Sequence, residues 1–383
     1  INTYSRHSGT ALYQQLGGQV EAYSTLNIED GTFIATAGTE TARAVSNGGN
    51  TTITGGTFQA TATTRYAYCI YAISGTLNVS NATITATSNS NTATGIHLEG
   101  TIDANTMFAY APTATLTNLN VTATTGTGAT ACSLYVKGTT KTQTEAQKEA
   151  LTSSNRNNYY NIYQVGEKAI APTVTVHGGT YTATAGTSSA YGAHSSKTSV
   201  STNKVATASP VMNLYDATFT ATTGTSTTAY GVQSGGPTLI EGCTIEATAG
   251  NATTYQSTAS GVRALDKTTT IKNSTITATA TDKAYGLEGC VEIDGTHGYC
   301  WHGEFNLSEA GNTEVTAEAK TKAKTSYAIY LNATKKAIAS GNFAGDYATA
   351  ANATINGGTY VAKFNTSGTA YVISLGAKQT QGS

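Results

Sequence analysis

The sequence predicts an all-β fold, a single right-handed parallel β-helix (β-solenoid) of about ten coils with three short strands per coil. Three observations predict it. First, a nine-residue pattern returns along the chain: aliphatic, any residue, Gly/Asn/Asp, any residue, Thr, large apolar, any residue, Ala, Thr. It occupies 53–61, 79–87, 176–184, 214–222 and 271–279, and recurs in looser form elsewhere. Second, its large apolar residue falls at Phe33, Phe58, Ile84, Val121, Tyr181, Phe219, Ile245, Ile276, Val315 and Tyr360. The shortest intervals are about 25–26 residues, enough for three strands and three turns. Third, the turn column before it reads Asp30, Gly55, Asn81, Asn118, Gly178, Asp216, Gly242, Asn273 and Gly357. Gly, Asn and Asp are the residues that reach the left-handed region most cheaply, so this column is a structural turn ladder.

The first strand of each coil is the aliphatic alternation before that turn, as at 51–53 and 173–176. The second is the Thr-large-x-Ala-Thr segment. Its period of two puts Phe58 and Ala60 on one face and Thr57, Gln59 and Thr61 on the other. Large apolar residues belong inside, so the threonines face solvent. The third strand is Ala-Tyr-small-aliphatic, at 67–70, 229–232, 284–287, 326–329 and 370–373. Counting by two gives Tyr68 the parity of Ile70 and Tyr285 that of Leu287. The tyrosine column (Tyr68, Tyr191, Tyr230, Tyr285, Tyr327, Tyr371) is therefore expected as an interior or corner stack.

One domain, residues 1–383, is expected, interrupted by insertions near 101–113, 137–172, 195–209, 295–311 and 333–351. Each follows a third strand, so all should leave the rod at one corner. The longest carries a segment with helical character, 144–151, and then a polar-aromatic run. Its residues Asn155, Arg156, Tyr159, Tyr160 and Tyr163 are candidate contacts to a glycan or a protein. The chain starts within a coil lacking its first strand and stops soon after a third strand, without a polar cap. Open strand edges pair with other chains, so the expected partner is self, by continuation of a longer solenoid or by head-to-tail stacking.

Composition excludes several classes. The formal net charge is −1 with 11 % charged residues, which leaves no basic field for nucleic acid. No stretch approaches the ~20 apolar residues of a spanning helix, so no direct membrane insertion is expected. Position 1 is Ile and the only methionines are Met107 and Met212, as in a processed or excised segment. Cys69 and Cys132 fall in third strands two coils apart, ~9–10 Å by the strand spacing, too far to bridge. With Cys243 they read as small buried residues. Cys290 and Cys300 flank an insertion and are a candidate disulfide. Together with His297 and His302 they offer groups that zinc takes, but the spacing matches no familiar site. No metal or other cofactor is assigned.

With the coil assigned, the chain resembles the passenger rods of bacterial autotransporter-like adhesins and related right-handed β-helix surface proteins. Gly-Gly-Thr-Phe/Tyr-x-Ala-Thr and Ala-Tyr-Gly-aliphatic carry the resemblance, over nearly the whole chain. It implies export, an extracellular or cell-surface location, and a non-enzymatic structural or adhesive role as a stalk or fibre segment. It brings over no catalytic residue, and none is assigned. Two other readings stay open. The threonine rows are similar to the regular faces of β-solenoid ice-binding proteins, although Ile34, Gln59, Glu246, Glu314 and Glu318 interrupt them; the same hydroxyls are acceptors for O-linked glycan. The stretch from Asp294 to His297 and the glycine after it has a weak likeness to an element of polygalacturonase-like enzymes, without the paired aspartates and Arg-x-Lys that accompany it there. That leaves a β-helix polysaccharide lyase or hydrolase as the third reading.

Overall fold

The computed structural model describes residues 2–5, 9–13, 24–103, 108–127, 130–142, 167–199, 207–224, 228–250, 257–289, 291–293, 300–320, 324–331, 352–364 and 368–375. The fold is a right-handed parallel β-helix. Each described coil after the N-terminal one adds one strand to each of three ladders, and nearly all pairings between coils are parallel. The third ladder is an 11-stranded sheet from Gly9–Tyr13 to Gly368–Leu375. Ten intervals at ~4.8 Å make it about 48 Å long. The first and second ladders are joined into one sheet because Thr113–Thr125 and Thr173–Ala185 run through the turn between them. At the N-terminal end, Asn2–Ser5 pairs with Thr32–Ala37 and Gly9–Tyr13 with Ala42–Asn47, a coil of second and third strands as expected.

Register is set by size and by turn chemistry. Phe58, Ile84, Val121, Tyr181 and Phe219 lie in one inward column, with alanines two residues later in a second. Like side chains stack: Phe33 and Phe58 lie 5.0 Å apart at 3°, Tyr181 and Phe219 4.9 Å apart at 22°. The interior is thin, so cohesion comes from repetition of these stacks and of the backbone ladders.

The turn column holds at Asn81, Asn118, Gly178, Asp216, Gly242, Asn273 and Gly357, all with positive φ. It shifts in the first two coils. There Gly31 and Gly56 take the left-handed conformation, and Asp30 and Gly55 precede it. Asp30 instead accepts a hydrogen bond from the Gly31 N–H at 2.7 Å. Between Asn273 and Gly357 the position is filled by Gly311, which the spacing had concealed. Side chains explain why Gly follows Asn118, Asp216 and Asn273 in the next coil. The Asp216 Oδ1 lies 2.2 Å from where a Cβ on Gly242 would be, and the Asn273 Oδ1 stands in the same relation to Gly311. Asn273 also accepts a hydrogen bond from the Asn312 N–H at 3.1 Å.

The third strand departs from expectation. Its burial does not alternate: in Ala67–Ala72, Cys69 and Ile70 are both buried while Tyr68 and Tyr71 are partly exposed. Pairing skips Ala44, Cys69, Gly95, Ser133, Gly192 and Gly231 in turn, so the strand makes a bulge-like step there. The step reverses parity. The column of Tyr68, Tyr191, Tyr230, Tyr285, Tyr327 and Tyr371 thus stands on the outer face, not in the interior. Tyr371 is 44 % exposed.

The described insertions leave between third and first strands. Thr101–Ile102 pairs antiparallel with Ala109–Tyr110, Thr139–Thr142 with Glu167–Ile170, and Thr198–Ser199 with Thr207–Ala208. A fourth stem, Val291–Ile293 with Cys300–Leu307, continues directly into the first ladder. The first three stack: Gly100 N–H donates to Lys137 C=O and Gly138 N–H to Ser196 C=O, both at 2.9 Å. Pro112, Pro172, Pro210 and Pro237 each precede a first strand, where a missing N–H costs least.

Candidate functional site

The reversed parity of the third ladder creates the most chemically varied surface of the rod. Two outward columns run side by side, the tyrosine column and one three residues on, containing Tyr71, His97, Tyr135, His194, Gln233, Arg263, Glu288 and Tyr330. Rings touch from coil to coil: Tyr68 to His97 at 4.8 Å, His97 to Tyr135 at 4.9 Å, Tyr135 to His194 at 4.9 Å, Tyr191 to Tyr230 at 5.0 Å. Farther on, Tyr327 stacks between Tyr285 and Tyr371 at 5.2 Å from each. Cations close the N-terminal run. Arg43 Cζ lies 4.7 Å from the Tyr71 ring centre, and Arg263 Cζ lies 5.2 Å from that of Tyr230.

Polar groups interlock along the same strip. Tyr71 donates to Glu99 at 3.0 Å, and Lys137 donates to the other Glu99 oxygen. Burial alone would raise the Glu99 carboxyl, but the His97 imidazole 3.5 Å away and the Lys137 ammonium outweigh it and bring it down to about 2. Burial lowers His97 and keeps it neutral at pH 7, with Lys137 and Arg43 acting in the same direction and Glu99 opposing. Tyr68 and Tyr71 are raised, first by burial. Arg263 donates to Tyr230 at 3.1 Å and lies 3.5 Å from Glu288. Most ring faces are covered by neighbouring rings. The strip therefore offers edges, hydroxyls and cations to a polar partner, and a free ring face chiefly at Tyr371.

Counting by two through the third strand put the tyrosine column on the wrong face, so its pairing with the outward column of Tyr71, His97, His194, Arg263 and Glu288 did not stand out in the sequence. The repeated small residue after the tyrosine was the signal. Of the expected site residues, Asn155, Arg156, Tyr159, Tyr160 and Tyr163 lie outside the described residues, as do 144–151, Cys290 and Asp294 to His297. Cys300 opens a described strand opposite Ile293. Cys69, Cys132 and Cys243 are buried free thiols; Cys132 lies on the outer face of its strand, paired in register with Thr94 and Tyr191. Among the described residues, no three His, Cys, Asp or Glu side chains converge on a metal position. Set against family models, curated proteins and solved structures, the chain matches none. The fold assignment rests on its own registers.

Proposed function

We propose that this chain is a non-enzymatic, extracellular structural and adhesive β-solenoid, a stalk or fibre segment of the kind that bacterial autotransporter-like adhesins display. The observation that carries this reading is the unbroken register of the three ladders through the described coils. Such a stack sets a length and transmits load along backbone hydrogen bonds, which is what a stalk needs. The edge of the last described coil supports continuation. Ile373 and Leu375 are 52 % and 71 % exposed, whereas their register partners Ile329 and Leu331 are buried. A further rung, from a longer polypeptide or from a second copy, would cover them. Contacts to glycan or protein are assigned to the stacked corner hairpins, above all the insertion carrying Asn155, Arg156, Tyr159, Tyr160 and Tyr163.

Electron microscopy of the native material tests the reading, with rods or filaments as the expected image. Compact isolated particles that cleave polysaccharide would reject it in favour of an enzyme. A glycan array run with and without residues 143–166 tests the contact assignment, which predicts loss of binding on deletion.

A further inference from the structure

We propose that the outer face of the second ladder, from Thr83 to Thr279, is an ice-binding surface. This stands independently of the stalk reading. The register places Thr87, Thr124, Thr184, Thr222, Thr248 and Thr279 in one unbroken column. A parallel column two residues earlier contains Thr85, Thr122, Thr182 and Thr220, then Glu246, then Thr277, and a third begins each strand. Strand geometry fixes the spacings at ~4.8 Å along the rod and ~6.6 Å along each strand. β-Branching restricts χ1, so successive coils can repeat one placement of hydroxyl and methyl with little entropy left to lose. These side chains are half-buried or exposed, and none of their hydroxyls enters the described side-chain hydrogen bonds.

The choice of threonine is specific to this face. The outer face of the third ladder carries Arg43, Glu99, Lys137, Arg263 and Glu288; on the first ladder the outer positions mix Thr175, Asn213, Leu239 and Thr270. A solvated strand needs only some polar residue at alternate positions. It does not need the same uncharged, methyl-bearing one in nearly every coil. A flat, periodic plane of hydroxyls and methyls holds water at fixed intervals, and a repeating water layer is what an ice plane presents. A crystalline polysaccharide is the weaker match, because sugar rings are gripped by exposed aromatic faces. The rings of these strands, Tyr181 and Phe219, point inward and are fully buried.

The test uses the full chain, folded as judged by circular dichroism, in ice-affinity partitioning and thermal hysteresis. The expected result is enrichment in growing ice with a measurable freezing gap. Both should be lost in Thr182→Lys and Thr220→Lys and retained in Thr175→Lys, which places the same charge on the first ladder. A folded chain excluded from ice overturns the proposal. So does equal loss in Thr175→Lys, capture by microcrystalline cellulose without ice enrichment, or an intact mass showing sugar on these threonines in the native protein. Rods seen by microscopy without ice partitioning would sink this inference and leave the stalk intact.

Discussion

Gly261 and Ile276 share one volume. A Cβ on Gly261 would stand 2.3 Å from Cγ2 of Ile276, the large residue of the next coil, and 2.7 Å from the carbonyl oxygen of Gly286. Gly95 with Val121, Gly231 with Ile245 and Gly286 with Val315 repeat the arrangement, each with the built Cβ at 2.3 Å. The glycine of Ala-Tyr-Gly-aliphatic is thus a seat into which the following coil locks. Gly261→Ala should cost about 1–3 kcal/mol by overpacking, read as a lower urea midpoint. Replacing Ile276 by Leu, which lacks the β-branch, should recover part of the loss. An unchanged midpoint in Gly261→Ala would show that the seat has slack.

The turn column makes a second demand. Gly242 has φ +66° and faces the Asp216 carboxylate of the preceding coil. Gly242→Ala should lose about 1–2 kcal/mol from the left-handed conformation alone, and more from the collision. Thermal unfolding of Gly242→Ala and of Gly242→Ala/Asp216→Gly separates the two, since only the collision is relieved in the double variant.

Tyr181 sits in a column of phenylalanines and aliphatics, fully buried, and its hydroxyl finds no hydrogen-bond partner among the described residues. Burial raises its pKa above the ordinary range, so it is neutral in the interior. A buried unsatisfied hydroxyl costs roughly 1–3 kcal/mol. Tyr181→Phe should therefore stabilise the rod, and equilibrium denaturation measures it. A destabilised Tyr181→Phe would mean that the hydroxyl is satisfied after all.

Acid should loosen the third ladder. His97 has a lowered pKa in the folded state, so the unfolded chain binds more protons and stability rises with pH. The contribution is complete above the unfolded value near ~6.5 and declines as pH falls below it, by up to about 1.4 kcal/mol per pH unit. Glu99, held down to about 2, adds a further loss below ~4.3. His97→Phe keeps a ring between Tyr68 and Tyr135 and should flatten the slope between pH 6.5 and 5. Denaturation midpoints at these two pH values supply the comparison; a slope equal to that of the parent would remove His97 as its source.

Much of this architecture was legible because size and turn chemistry repeat. Phe58, Ile84 and Phe219 marked the coil, Asn81 and Asn273 marked the turn, and both stand in the expected register. Strict alternation failed at Cys69 and its counterparts. A bulge adds one residue without changing composition, so the count by two carried Tyr68 and its column to the wrong side. The small size of Gly95, Gly192 and Gly231 held the correction, but their reason lies in the neighbouring coil, which no local count can see. The same limit hid Gly311, displaced by one residue in a longer turn.

Val372 occupies the place taken by Gly95, Gly192, Gly231, Gly261 and Gly286, by Ala44, Cys69 and Ser133 in other coils and by Ala328 in the coil before it, and it is 49 % exposed. Whatever polypeptide is laid upon Gly368–Leu375 meets an isopropyl group where Ile245, Ile276 and Val315 found room. A successor copied from the middle of the rod would be held off at that point; one with alanine or glycine there would close down fully. A single side chain thereby sets, by its bulk, how closely any strand could approach this edge.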